Sequence, residues 1–114
     1  MKVIIAGSRE ITQPEVIAQA VAASGFTITE VVSGGARGVD QLGEAWAQAH
    51  HIPLTRMPAD WERYGKGAGC RRNAEMAAYA DACLVCWNGV SRGADHMAKT
   101  ARQQGLPTYV YLVG

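Results

Sequence analysis

The sequence lacks several features that would place a protein in a specialised class. Its 114 residues carry 11 basic and 10 acidic side chains, which leaves a formal net charge of +1. That near-neutral balance argues against nucleic acid or an anionic membrane surface as a partner. No apolar run approaches the ~20 residues of a membrane-spanning helix, and no secretory leader pattern opens the chain. We therefore expect a cytoplasmic protein that does not insert into membranes.

Cysteine and histidine are also sparse. Three cysteines, an odd number, argue against a disulfide framework. Cys83 and Cys86 form a CxxC, but it lies inside the apolar run ACLVCW, where core packing is a better interpretation than a redox or zinc site. The three histidines are dispersed without metal-ligand spacing. We predict no metal site and no required cofactor.

What the sequence has instead is a regular alternation of strand-like and helical patterns. Short apolar or β-branched runs occur at residues 2–6, 28–33, 52–57, 82–87 and 108–113, and helical spacing separates them. The first helix is expected to begin at the capping box TQPE (12–15) and to end at Gly25, and another is expected from about Arg71. The pattern predicts one α/β domain over residues 1–114. Its fold is a Rossmann-like, doubly wound sheet of five parallel strands in the order 3-2-1-4-5, with about four helices on both faces.

The unusual residues are concentrated in the loops that follow the first four predicted strands. These loops are GSRE (7–10), GGARGVD (34–40), ADWERYGKGAGCRRN (59–73) and NGVSRGAD (88–95). Ligands of such sheets bind beside the carboxyl ends of the strands. Glycine turns and helix N-termini expose N–H groups to phosphate, arginine adds charge-assisted contacts, and a carboxylate such as Asp40 can accept from ribose hydroxyls. We expect Arg9, Arg37 and Arg72 to converge on one cradle for an anion.

Other interpretations of these loops stay open. The glycines of residues 34–38 could simply shape a tight turn, although glycine close to a basic residue in all four loops favours a ligand site. Trp61, Tyr64 and Trp87 could stack a base or could be packing residues. His96, in the first turn of the last helix, could contact a phosphate or act as an acid–base group. Homo-oligomerisation is also expected, because Trp46 and several helix faces need cover in so small a sheet.

Four loop segments, taken in order, resemble those of the YspA-like (cpYpsA-related) branch of the SLOG superfamily. They are GSR, SGGARGVD, PADWERYGKGAGCRRN and WNGVSRGADHM. That superfamily includes the Lonely Guy phosphoribohydrolases and the DNA-processing protein A family. The resemblance implies a Rossmann-like fold and binding of a nucleotide or nucleotide-derived ligand, in the class of ADP-ribose, NAD and nucleoside phosphates. It implies ligand contacts at Gly7, Ser8, Arg9, Gly34, Gly35, Ala36, Arg37, Gly38, Asp40, Arg72, Asn73, Asn88, Gly89, Ser91, Gly93 and His96.

One departure from the family pattern bears on chemistry. Lonely Guy enzymes carry a PGGxGTxxE loop, and aligning Gly93 and Ala94 with its GT pair places Met97 at the glutamate position. Hydrolysis of a nucleotide N-glycosidic bond would then need Asp40, Asp95 or His96 as a substitute. The leading hypothesis is a nucleotide sensor or sequestering domain. A nucleotide N-glycosidase and a single-stranded nucleic-acid binding protein are the alternatives.

Overall fold

The β-branched run that opens the chain forms the central strand of a parallel sheet. The computed structural model of the protein describes residues 1–114. All strand pairings are parallel, and the order β3-β2-β1-β4-β5 confirms the predicted topology. The strands are β1 (Lys2–Gly7), β2 (Glu30–Ser33), β3 (Leu54–Arg56), β4 (Ala82–Trp87) and β5 (Thr108–Leu112).

Helices cover both faces of this sheet, because side chains of a strand alternate between its faces. Val3 and Ile5 of β1 pack in one apolar cluster, whereas Ile4 and Ala6 pack in the other. Helices α1 and α2 contribute to the first cluster, and α4 and α5 contribute to the second. The helices are α1 (Glu15–Ser24), α2 (Val39–Ala49), the single turn α3 (Trp61–Tyr64), α4 (Ala68–Tyr79) and α5 (Arg92–Gln103).

Two helix starts differ from the sequence prediction. Helix α1 begins at Glu15 without a side-chain cap, so the predicted capping box at residues 12–15 is wrong. Pro14 already has helical dihedral angles there, because its ring fixes φ at a helical value. The end at Gly25 is confirmed, with φ 71°. Residues 59–70 are also more helical than predicted, because Asp60 caps the turn of α3 and α4 begins at Ala68 rather than near Arg71.

The CxxC pair is part of the core, as predicted. Cys83 and Cys86 are fully buried and belong to different apolar clusters, so their side chains lie on opposite faces of the sheet. Burial raises the pKa of each thiol to about 12. Two thiols on opposite faces share neither a disulfide nor a metal ion.

Trp46 is partly buried by contacts within its own chain. Its ring packs against the cluster beneath α1 and α2 and stacks on the ring of His50, with centroids 4.5 Å apart. Homo-oligomerisation stays a prediction. No helix of the structure combines the length and apolar content that crossing a membrane requires.

Candidate functional site

A cavity of about 470 Å³ opens at the carboxyl edge of the sheet, where β1 ends and the N-termini of α2, α4 and α5 approach one another. This volume is within the range of small-molecule sites. The cavity is lined by Ala6, Gly7, Arg9, Ala36, Asp40, Trp61, Lys66, Gly69, Cys70, Arg72, Asn73, Met76, Ser91, Arg92, Gly93, Ala94, His96 and Met97.

The charged groups of this lining are unbalanced. Arg9, Lys66, Arg72 and Arg92 lie on the wall, and none of them forms an ion pair. Asp40 is the one carboxylate among the lining residues. The wall therefore has an excess of three positive charges when Asp40 is ionised and His96 is neutral. Uncompensated charge of one sign in a concave site concentrates ligands of the opposite sign.

Asp40 lies in the first turn of α2 and is only 5% exposed. Its Oδ2 accepts a hydrogen bond of 3.2 Å from the backbone N–H of Ala36. Burial raises the pKa of Asp40 to about 6, and it outweighs the lowering effect of the Ala36 hydrogen bond and of Arg72 and Arg9 nearby. Asp40 can therefore take up or release a proton near neutral pH.

Close packing between loops requires glycine at two positions of the turn after β2. Gly38 has φ 80°, and a Cβ atom there would lie 2.6 Å from backbone atoms of Arg9. A Cβ atom at Gly34 would lie 2.4 Å from Nη1 of Arg72. The glycines thus allow the loops after β1 and β2 to meet and bring the Arg72 guanidinium against the turn.

A polar network that sequence reasoning missed joins the buried residues Ser33 and Glu44 to the exposed Arg56 and contacts this turn. Ser33 Oγ donates to Glu44 Oε2 at 2.7 Å and accepts from the N–H of Gly35 at 3.1 Å. Arg56, the partner of Ser33 in the strand register, pairs with the Glu44 carboxylate. Burial raises the pKa of Glu44, but the hydrogen bonds from Arg56 and Ser33 outweigh it and hold the pKa below its usual value. The spacing of Asp40 and Glu44, four residues apart on one helix, is the signal that could have revealed this group.

Arg72 connects three walls of the cavity. Its Nη1 donates to the carbonyl oxygen of Gly34 at 2.8 Å, and its Nε donates to Oδ1 of Asn73 at 3.0 Å. Nδ2 of Asn73 lies 2.9 Å from Nδ1 of His96 in α5. The glycine turn, α4 and α5 are therefore joined by one chain of hydrogen bonds.

The N-terminus of α5 forms a further part of the wall. Ser91 caps the helix, since its Oγ accepts from the N–H of Ala94 at 3.4 Å. The N–H groups of Arg92 and Gly93, at the first two helical positions, have no acceptor within the helix. A Cβ atom at Gly93 would meet nothing within 4 Å, so this turn is open. Such a helix start is suited to an anion.

The three aromatic candidates separate in the structure. Trp61 lines the cavity, is 53% exposed and lies across Gly69 at the start of α4. Tyr64 instead lies under the guanidinium of Arg71, with 4.1 Å between Cζ and the ring centroid. Trp87 donates through Nε1 to the carbonyl oxygen of Ser91 at 2.9 Å and lines a separate groove between α5 and β5. Of the three, only Trp61 is placed to stack a ligand in this cavity.

The structure brings about half of the residues predicted from sequence into the cavity lining, namely Gly7, Arg9, Ala36, Asp40, Trp61, Arg72, Asn73, Ser91, Gly93 and His96. The others lie outside it: Ser8, Gly34, Gly35, Arg37, Gly38, Tyr64, Trp87, Asn88, Gly89 and Asp95. Lining residues absent from the predicted set are Ala6, Lys66, Gly69, Cys70, Met76, Arg92, Ala94 and Met97. Lys66 lies between Gly65 and Gly67, and Arg92 begins α5 beside Gly93, so a cation next to glycine was the signal available in the sequence.

Several of the outlying residues have structural contacts. Ser8 is fully buried, and its Oγ accepts from the N–H of Asn88 at 3.1 Å. Asn88 in turn accepts from backbone N–H groups of its own loop. Arg37, expected to join Arg9 and Arg72, has a side chain that is 72% exposed and 3.9 Å from Glu10. Asp95 pairs with Lys99 at 2.8 Å and lines the separate groove, so Asp40 and His96 are the acid–base candidates in the cavity.

Comparisons with known proteins find relatives in sequence and in fold. The chain is 41% identical over 83 residues to the Gene 61 protein of Mycobacterium phage D29, a match that covers 68% of this chain and 66% of the phage protein, just under two thirds. The fold of this chain is similar to that of DNA processing protein A (DprA) from Streptococcus pneumoniae, with a TM-score of 0.73 and 17% identity over 96% of this chain. The chain spans about half the length, 49%, of that DprA chain.

A family model supplies the assignment that single relatives do not. The model of the YspA, cpYpsA-related SLOG family matches residues 1–64, which include β1, the glycine turn and Asp40. These residues make up more than half of the chain. The protein therefore belongs to the YspA, cpYpsA-related SLOG family.

Proposed function

We propose that this protein binds a nucleotide or a nucleotide-derived small molecule in the cavity and acts as a sensor or sequestering domain. The family and the DprA-like fold support a nucleotide- or nucleic-acid-related role in general. The observation that carries the finer proposal is the lining itself. Four cations without ion-pair partners share one cavity with a single carboxylate.

Each part of a nucleotide has a counterpart in the lining. A phosphate group fits the open first turn of α5, beside the charges of Arg92 and Arg72. A ribose hydroxyl can donate to Asp40, and a base can stack on the exposed face of Trp61. A compact ligand with one anionic end matches this arrangement better than a long polyanion, because the cations surround a cavity rather than follow a groove.

Calorimetric titration tests the proposal directly. AMP, NAD, ADP-ribose and cyclic ADP-ribose isomers are the probes, and we expect saturable binding of at least one of them. Arg9→Ala should weaken that binding at least tenfold, roughly the effect of one lost charge-assisted contact. Arg71→Ala is the matched control, since Arg71 pairs with Glu75 and packs on Tyr64 outside the lining.

Mass spectrometry of small molecules released from the purified, denatured protein would identify a resident ligand. Absence of any released nucleotide, together with no binding of any probe, would refute the proposal. Binding of an oligothymidylate that falls steeply with salt concentration would point to single-stranded nucleic acid instead.

Hydrolysis of a nucleotide N-glycosidic bond is a second candidate, favoured by Asp40. A carboxyl group in a cavity with a pKa of about 6 is suited to proton transfer near neutral pH. Met97, which lines the same cavity, has no group that can transfer a proton. Chromatography after incubation with nucleoside monophosphates should then detect free base, and Asp40→Asn should abolish its release. Absence of free base after long incubation at high protein concentration would exclude this activity for those substrates.

A further inference from the structure

We infer that Asn73 is a positioning residue that makes His96 present an N–H group at Nε2 to an acceptor oxygen of the ligand. The hydrogen-bond chain from Arg72 through Asn73 carries the inference. The contact between Nε2 and a ligand rests on the proposed function, whereas the position of the proton on His96 follows from the protein alone.

The direction of the chain is fixed at Arg72. A guanidinium has only donors, so the Asn73 atom that faces Arg72 Nε at 3.0 Å must be the carbonyl oxygen Oδ1. The amide nitrogen Nδ2 therefore faces His96 and donates to its Nδ1 at 2.9 Å. The hydroxyl of Thr100 lies 3.5 Å from the same nitrogen and can also donate to it. Nδ1 must then accept, and in the neutral imidazole the proton lies on Nε2.

Nε2 of His96 is free to contact a ligand. His96 is a lining residue, and Nε2 has no hydrogen-bond partner in the protein. No buried side-chain nitrogen or oxygen of the protein lacks a partner, so Nε2 is accessible to solvent. A ligand in the cavity can therefore meet this N–H group.

The proton on Nε2 of His96 limits which ligand groups can bind at this point. Arg72, Arg92 and the first-turn N–H groups of α5 are donors, and His96 adds another donor beside them. The matching ligand group must supply several acceptor lone pairs, as a phosphate or another oxyanion does. A ligand that presents an N–H group at this point would be rejected, because two donors would face each other.

His50 provides an internal contrast. Its Nδ1 lies 2.9 Å from the carbonyl oxygen of Trp46, so this nitrogen must donate. The neutral tautomer of His50 therefore carries its proton on Nδ1, opposite to His96. One sample should show both tautomers.

Nitrogen-15 NMR of the imidazole rings at alkaline pH, without ligand, tests the role of Asn73. In the wild-type protein we expect the Nε2–H tautomer for His96 and the Nδ1–H tautomer for His50. In Asn73→Asp the new carboxylate accepts from both neighbours, so the His96 proton should move to Nδ1. Thr100→Val, which removes only the contact at 3.5 Å, should leave the wild-type tautomer. An Nδ1–H tautomer in the wild-type protein, or an unchanged one in Asn73→Asp, would overturn the inference.

Titration with AMP tests the contact at Nε2. The side-chain amide of His96→Gln can reach the position of Nε2, so the AMP affinity of this variant should stay within about threefold of wild type. The shorter amide of His96→Asn ends near the position of Nδ1. This variant should bind AMP about tenfold more weakly, the effect of one lost hydrogen bond. Equal affinity in both variants and the wild type would overturn the contact. If the wild-type protein binds no nucleotide at all, the proposed function fails, and the NMR result still decides the role of Asn73.

Discussion

Replacing Asp40 by Asn should stabilise the protein near neutral pH and remove part of the pH dependence of its stability. Asp40 is 5% exposed, and burial raises its pKa from 3.8 to about 6. The folded protein therefore holds this proton more tightly than the unfolded chain does. The stability that Asp40 contributes is fully present below pH 3.8 and is lost as the pH rises through 6.

The magnitude follows from the difference between the two pKa values. Each tenfold change in proton affinity corresponds to about 1.4 kcal/mol, so ionised Asp40 lowers the free energy of unfolding by about 3 kcal/mol above pH 7. Asparagine has nearly the same shape, and its amide oxygen can still accept from the N–H of Ala36. We expect Asp40→Asn to match the wild type near pH 3.8 and to exceed it by about 2 to 3 kcal/mol above pH 7.

Urea unfolding followed by tryptophan fluorescence, in buffers free of phosphate and nucleotides, measures this difference at each pH. Other titrating groups contribute equally to both proteins, so they cancel in the difference. Glu10→Gln is the control, since Glu10 is 77% exposed on the neighbouring loop and should change stability by less than about 0.5 kcal/mol. A variant that is no more stable than wild type at pH 7.5, or a difference that does not vary with pH, would refute this account of Asp40.

Three further predictions concern the walls of the cavity. Arg72→Lys should weaken AMP binding about tenfold, because lysine cannot bridge the glycine turn and α4, while Arg71→Lys should have no effect. Arg37→Ala should keep AMP affinity within about twofold of wild type, because Arg37 lies outside the cavity lining. Arg9→Ala should lower AMP affinity at least tenfold, roughly the effect of one lost charge-assisted contact. Equal losses of affinity in a calorimetric titration would place Arg37 in the site. Gly38→Ala should lower the free energy of unfolding, measured by urea unfolding, by more than about 2 kcal/mol, because φ is 80° and the new Cβ atom would clash with the Arg9 backbone. An unchanged free energy of unfolding would contradict the close packing of the two loops.

The sequence alone was sufficient for the sheet and for the edge at which the cavity opens. Alternating apolar runs and helical spacing determine a parallel sheet, since each crossover helix returns the chain to the same end. Their order also placed the loops that hold Arg9, Asp40 and Arg72 at one edge. These inferences succeed because hydrophobic periodicity is a local property that the sequence states directly.

The tertiary structure decided which of those loop residues meet. Arg9 and Arg37 are only 28 positions apart in a motif-rich stretch, yet one lines the cavity and the other lies in solvent beside Glu10. The pKa of Asp40 and the proton position on His96 depend on groups from α4 and α5 that are distant along the chain. Side-chain direction, burial and hydrogen-bond polarity depend on how separate elements pack together, and no local pattern in the sequence encodes that packing.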